Sequence, residues 1–374
     1  MSKKKIAIVG LFYHPEMPSR VKMLKDYFST SYNPIILTAD FVHPYKTYDY
    51  EEWDKCLKLH VPRYRTNFSI SRIWSHIVYA WDIKKALSRE QLGLVYVCVP
   101  PNYSALKAVT WAKRHNIPVI VDVVDLWPNI NAPSNNLLKL AYKVWGSIRD
   151  KAVLRADKVL IECSLYKDDI PVSDSMMIPL CKKNDEIPHY AAHDGIRIAY
   201  LGAFSTSYDF DSLIYLAQRI KERGRRLTIV LIGKGNEKDK VVANLKENKI
   251  EFEDYGVVYD EFEKKKILES CDFGYNGFTP GMAVGQSYKS IDYMGCGLAL
   301  INSLKGDLEE IVLTEKCGYN FDKTSRSEIA GTIARLSKDE IAVMKDNSFN
   351  AFEKYFSWRV YIENMDKVMK ELNV

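Results

Sequence analysis

"LVYVCVPPNYSALKAVTWAKRHNIPVIVDVVDLWP" occupies residues 94–128. Two continuous apolar, β-branched runs, 94–99 and 118–124, flank a segment at 103–115 with helical spacing of its apolar residues. A short apolar run without alternation suits a parallel strand covered on both faces. Parallel neighbours need a crossover, and the intervening helix supplies it, so the stretch predicts a β-α-β unit. The pattern extends in both directions. Further strands are predicted at 5–13, 34–39, 158–163 and 176–180, with helices at 19–30, 69–88 and 136–156.

The stretch "CKKNDEIPHYAAHDG" (181–195) is polar, Pro- and Gly-containing and without periodicity, and reads as an interdomain linker. A second series follows, with strands at 196–204, 227–235, 250–256, 272–278 and 298–303. Helices are predicted at 209–223, 237–248, 259–270, 286–294 and 306–313, and the last helix at 358–373. A chain of 374 residues exceeds the size of one ordinary core. The prediction is therefore α/β, with two Rossmann-like domains in tandem facing each other across an interdomain cleft. The boundaries are residues 1–185, residues 186–357, and a terminal helix at 358–374.

Hydrophobic residues make up 47% and charged residues 27%, as in ordinary globular proteins. Seven cysteines without CxxC or Cys/His spacing point to reduced thiols, not a zinc site. The apolar run after "MSKKK" lacks a cleavage site and reads as a first strand, and no run has transmembrane length. A cytoplasmic protein is expected. Residues 1–190 hold 27 Lys and Arg against 19 Asp and Glu; the rest hold 26 against 29. A basic front half suits an anionic partner. No stacking-plus-basic motif supports nucleic acid.

Ligands of open α/β sheets bind beyond the carboxyl ends of the strands, so the loops there matter most. "YHPEMPSR" (13–20) lacks GxGxxG, which argues against dinucleotide redox chemistry. It offers Glu16, Ser19 and Arg20, with Ser19 placed to cap the next helix and expose an anion-binding terminus. "DVVDLWPN" (122–129) carries two carboxylates on different faces, and Asp125 is expected to face the cleft. In the second series, "YLGAF" (200–204) brings Gly202, and "LIGKG" (231–235) brings Gly233 and Lys234 as a short phosphate loop. Asp209-Phe-Asp211 is a literal DxD, but it opens a helix and reads as capping, so no metal is expected.

"GQSYKSIDYMGCGLALI" (285–301) places a helix start at Gln286-Ser287, Lys289 in its first turn and Asp292 one turn on. A cation in the first turn opposes the helix dipole unless an anion sits there.

Together these motifs resemble the GT-B glycosyltransferases, specifically the GT4-like group that builds bacterial surface polysaccharides. "HPEMPSR", "VDVVDLWP", "YLGAF", "LIGKG", "YKSIDYMGCGLALI" and the closing "YFSWRVYIENMDKVM" match that group's motifs in order. The resemblance implies a GT-B fold whose terminal helix crosses back to the N-domain. It implies a nucleotide-diphosphate sugar, UDP-linked by preference, held by the second domain. Asp292 falls at the second Glu of E-x7-E and would bind ribose hydroxyls. Lys289, Gln286 and Ser287 would lie by the diphosphate, and Val257 near the base. Val284 stands at the first Glu position.

The activity expected is metal-independent hexosyl transfer, with no cofactor beyond the sugar-nucleotide substrate. Gly202, Gly233 and Lys234 join the donor site, Asp125 serves the acceptor hydroxyl, and Glu16, Ser19 and Arg20 form an acceptor-side or phosphate loop. The acceptor would be a saccharide or lipid-linked saccharide. Helix 69–88, with Ile73, Trp74, Ile77, Val78, Trp81, Leu87 and the basic Arg72, Lys84 and Lys85, could place the protein on an anionic membrane. A catalytically inactive GT-B partner subunit and a GT-B sugar-nucleotide epimerase remain open as alternatives.

Overall fold

The computed structural model describes residues 3–66, 69–128, 136–184, 186–282 and 284–374. Asp185, within the stretch read as a linker, lies outside them. The chain divides into two compact units, Met1–Pro179 with Ile362–Val374, and Leu180–Tyr361.

The first unit contains β1 (Lys5–Val9), β2 (Asn33–Ala39), β3 (Phe41–Val42), β4 (Thr47–Tyr48), β5 (Cys56–Leu59), β6 (Leu94–Val99), β7 (Val119–Val123), β8 (Lys158–Ile161) and β9 (Ser175–Met177). Seven strands form one sheet in the order β5-β2-β1-β6-β7-β8-β9, and every neighbouring pair is parallel. All residues of β6 and β7 are buried, as their unbroken apolar runs require. Helices Ile70–Leu87, Asn102–Arg114 and Asn136–Val153 pack side by side in sequence order. The closing residues return to this unit: Tyr27 donates to Asp366 (2.6 Å), and Lys158 pairs with Glu371 (2.7 Å).

The second unit contains β10 (Ile196–Leu201), β11 (Leu227–Ile232), β12 (Glu251–Asp254), β13 (Phe273–Asn276), β14 (Ala299–Asn302) and β15 (Gly318–Asn320). Their order is β12-β11-β10-β13-β14-β15, all parallel. Sequence neighbours run outward from β10 in both directions, so the strand order reverses between β10 and β13. That reversal opens a crevice at the carboxyl ends of these two strands.

Three differences from the sequence reading stand out. The stretch read as a linker is built into the second unit: Cys181 is buried, Lys182 bridges to Ser357, and Asn184 Nδ2 donates to the Gly295 carbonyl (2.6 Å). Lys182, Asn184 and His193 have partners on that unit, in Asp292, the Gly295 carbonyl and Asp272. Strand β5 (CLKL) was not predicted, because a half-buried edge strand carries no β-branched run. Strand β15 was not predicted either; it is three residues long and begins with glycine.

Candidate functional site

Three loops meet at the carboxyl edge of the second sheet. The Gly202 amide donates to the Ile232 carbonyl (2.9 Å), and the Gly233 amide donates to Gly256. Gly233 has φ +137°, and a Cβ there would lie 1.9 Å from the Gly202 carbonyl oxygen. Only glycine fits so close an approach. Lys234 is exposed, and Val257 is 38% exposed. The neighbouring Lys238 is tied down, its Nζ bonded to the Gly233 carbonyl (2.8 Å) and to Asp254 (2.6 Å).

Helix Tyr288–Gly295 begins at the reversal point. Ser287 caps it: its Oγ accepts from the Ser290 amide (3.2 Å) and donates to Asn276 Oδ1 (2.9 Å). Asn276 Nδ2 donates to Asn302 Oδ1 (2.9 Å), and Asn302 Nδ2 to Asn320 Oδ1 (2.8 Å). These asparagines end β13, β14 and β15 in register, so a polar ladder across three strand ends fixes where the helix starts. The sequence reading missed this ladder. Its signal was present, since three successive strands each end in Asn. Gln286 is 4% exposed, and its Oε1 accepts from the Leu180 amide (3.1 Å). That atom anchors the chain entering the unit.

Lys289 is the anomaly of the site. It is 7% exposed, and its Nζ has no hydrogen-bond partner among the described residues. The ammonium position lies 3.3 Å from the ring centre of Tyr208 and 4.8 Å from those of Tyr200 and Phe278. Burial pushes its pKa down to about 6. Aromatic faces attract a cation but do not replace a counter-ion. Tyr208 is held over it by backbone pairing: a bridge joins Tyr208 to Phe278, and Thr279 N donates to Ser207 O (3.0 Å). The loops after β10 and β13 are thereby zipped together above Lys289.

Asp292, one turn on from Lys289, has cationic partners. Its carboxylate pairs with Lys182 and lies 3.9 Å from Lys264. Against the burial that works to lower it, Asp292 holds the Lys182 ammonium above its ordinary value. A cleft of about 280 Å³ adjoins this pair, lined by Lys182, Glu261, Phe262, Lys264, Asp292 and Cys296 among others. Asp209 caps helix Phe210–Glu222, accepting from the Ser212 amide (3.0 Å), with Asp211 in the first turn. Among the described residues no group of three or more His, Cys, Asp or Glu is arranged to hold a metal.

In the first unit, Ser19 caps helix Arg20–Ser31 and Glu16 is exposed. Arg20 is not available to a phosphate. It is 3% exposed, its Nε lies 3.2 Å from Asp122, and its Nη1 and Nη2 donate to the carbonyls of Pro179 and Ile178. Glu162 lies 3.9 Å away, its pKa raised to about 8 by burial, with Arg20 opposing and Asp122 and Asp125 adding to the rise. Arg20 therefore neutralises buried carboxylates of its own sheet.

Asp125 stands beyond the end of β7. Burial raises its pKa to about 6, opposed by the Trp127 amide and Arg72, and its Oδ1 has no partner. Helix Ile70–Leu87 exposes Ile70, Ile73, Trp74 and Trp81, with Lys84 and Lys85 exposed nearby. Leu87 is buried, and Arg72 does not join the exposed face. Its guanidinium lies over Phe12 (5.7 Å), Tyr64 (5.9 Å) and Trp127 (5.9 Å). Among the described residues no helix is long and apolar enough to cross a membrane.

The fold of the whole chain matches that of GT-B glycosyltransferases. A sucrose-phosphate synthase from Thermosynechococcus elongatus superposes with a TM-score of 0.75 at 12% identity, over 99% of both chains. The lipopolysaccharide outer core galactosyltransferase WaaB gives 0.69 at 14%, over 98% of this chain and 99% of that one. Anabaena Alr3699/HepE, solved in complex with UDP, gives 0.71 at 11%, over 98% and 100%. Residues 195–339, within the second unit, match the family model described as Glycosyl transferases group 1. No curated protein sequence matches the chain.

Proposed function

We propose that this protein transfers a hexosyl group from a nucleoside-diphosphate sugar, UDP-linked by preference, to a saccharide or lipid-linked saccharide in surface-polysaccharide synthesis. The observation that carries the reading is Lys289, a buried lysine without a counter-ion among the described residues, at the strand-order reversal of a unit that matches the group 1 glycosyltransferase model. A diphosphate would supply the missing charge, aided by the amides at the start of helix Tyr288–Gly295. Asp292 would take the ribose hydroxyls, exchanging Lys182 for them, and Val257 would lie by the base. Gly202 and Gly233 leave room for the donor, and Lys234 adds charge from solvent. HepE was solved with UDP and with UDP-glucose, which supports the choice of nucleotide.

In the transfer, the acceptor oxygen bonds to the anomeric carbon as the bond from that carbon to the diphosphate breaks. The proton goes to Asp125, and the electron pair leaves with the nucleoside diphosphate. Lys289, once protonated, and the helix amides stabilise the departing charge without a metal being required of them. The exposed apolar face of helix Ile70–Leu87 and the basic excess of residues 1–190 support docking on an anionic membrane. Co-sedimentation with anionic liposomes at low salt tests this, and absence of binding removes it.

Val284, where the family motif has Glu, favours a second reading: a subunit that binds nucleotide without transferring sugar. Thermal-shift screening against UDP, GDP, ADP and CMP separates the readings from the absence of any site. One nucleoside diphosphate is expected to raise Tm, and Lys289→Met to reduce the shift. No shift with any nucleotide would overturn the donor site, and a shift without transferase activity would favour the second reading.

A further inference from the structure

An anion bound to Lys289 has to share space with a ring. The ammonium lies over Tyr208, 3.3 Å from its ring centre, and a phosphate oxygen accepting from it must come to about 2.7–2.9 Å. Tyr200 and Phe278, each 4.8 Å away, close two further directions, so the amine is covered. The three rings are not equally fixed. Tyr200 is fully buried in the core, and its hydroxyl donates to the Ala203 carbonyl. The Phe278 amide is tied to Ser303 Oγ (2.8 Å). Tyr208 is partly exposed and sits in a loop.

That loop is built as a short strap. Phe204 and Phe210 are buried at its two ends, and their rings stack with centres 5.3 Å apart. Between them, residues 205–209 (Ser-Thr-Ser-Tyr-Asp) are partly or fully exposed. The strap is fastened to the loop after β13 by a few polar contacts. Tyr208 bridges to Phe278, the Asp209 amide donates to the Gly277 carbonyl (3.3 Å), and Thr279 N and Oγ1 both donate to the Ser207 carbonyl (3.0 Å each). A segment with buried anchors, an exposed middle and few cross-links opens locally, well short of global unfolding.

We propose that Tyr208 gates Lys289: its ring covers the amine, and the strap of residues 205–209 swings off to admit an anionic ligand. Opening exchanges an aromatic face for charge-assisted hydrogen bonds, so the ligand itself stabilises the open strap. Tyr208 is then a positioning residue, which sets how fast the ligand enters and takes no part in bond making. That the anion is a nucleoside diphosphate rests on the transferase reading; the gating of Lys289 does not.

The test acylates the full chain at pH 8 with N-hydroxysuccinimidyl acetate and reads the rate at each lysine by peptide mass spectrometry. Lys289 titrates near 6 and is a free amine at this pH, so slow acylation there measures cover and not charge. Lys289 is expected to react about 10-fold more slowly than exposed Lys316, and Tyr208→Ala to raise its rate about 10-fold. Tyr208→Phe should keep the protection, because the ring and not the hydroxyl covers the amine. Thr279→Val removes the hydroxyl bonds to the Thr206 and Ser207 carbonyls and should loosen the strap, which keeps the test open if Tyr208→Ala fails to fold. Lys289 acylated as fast as Lys316 in the unaltered protein, or protection unchanged in the loosened variants, overturns the proposal. Stopped-flow measurement of UDP binding separates the gate from its ligand. The observed rate should level off with UDP concentration in the unaltered protein and rise linearly in the loosened variant. The same concentration dependence in both overturns the gate. No UDP binding, with acylation as expected, would instead overturn the donor reading and leave the gate standing.

Discussion

Arg20 and Lys289 occupy comparable places: each is a cation in the first turn of a helix that follows a strand's carboxyl end, and each is nearly fully buried. Sequence motifs offer both as phosphate contacts. The structure separates them by their partners. Arg20 meets Asp122 and Glu162 and two carbonyls, whereas among the described residues the Lys289 ammonium meets only aromatic faces. A buried cation with internal partners holds a fold together; one without them is held ready for a ligand at a cost in stability.

Substitution should break this contrast most sharply at Arg20. Arg20→Met leaves Asp122 and Glu162 without their cation and is expected to cost about 3–5 kcal/mol in urea unfolding. Lys289→Met should show the reverse: equal or greater stability, with nucleoside diphosphate binding weakened about 10–100-fold by calorimetry. A Lys289→Met protein destabilised as much as Arg20→Met would erase the distinction.

The pH dependence sharpens the comparison. Folded Lys289 titrates near 6 against an ordinary 10.5, so between these values the unfolded chain holds a proton that the folded chain lacks. Stability at this site therefore rises with pH across that window; the penalty is complete below 6 and absent above 10.5. The stability advantage of Lys289→Met over the unaltered protein should shrink accordingly as pH is raised, in paired denaturation series. The smallest effect is expected at Asp292. Asp292→Asn should weaken nucleotide binding only about fivefold, because an amide still offers hydrogen bonds to a ribose.

The parallel sheets were legible because strands buried on both faces must be continuously apolar, as "LVYVCV" and "LTIVLI" are. The caps at Ser19 and Asp209 were legible from residue type and position. Partner choice was not. That Arg20 would turn inward to Asp122, and Arg72 onto Phe12, Tyr64 and Trp127, depends on side chains far apart in sequence. The same holds for Lys182, which sat in an apparent linker and proves to be the counter-ion of Asp292. The Asn276–Asn302–Asn320 ladder lay between these cases, visible as a repeated strand ending but meaningful only once β13, β14 and β15 were adjacent.

The central claim is that Lys289 receives the diphosphate. An arriving anion must raise the pKa of a lysine that is largely neutral when the site is empty, so binding takes up a proton. Calorimetry of UDP binding at pH 8, in two buffers of different ionisation enthalpy, measures that uptake directly. The account predicts uptake approaching about one proton per UDP in the unaltered protein and none in Lys289→Met. Binding without proton uptake, or the same uptake in the variant, would contradict it.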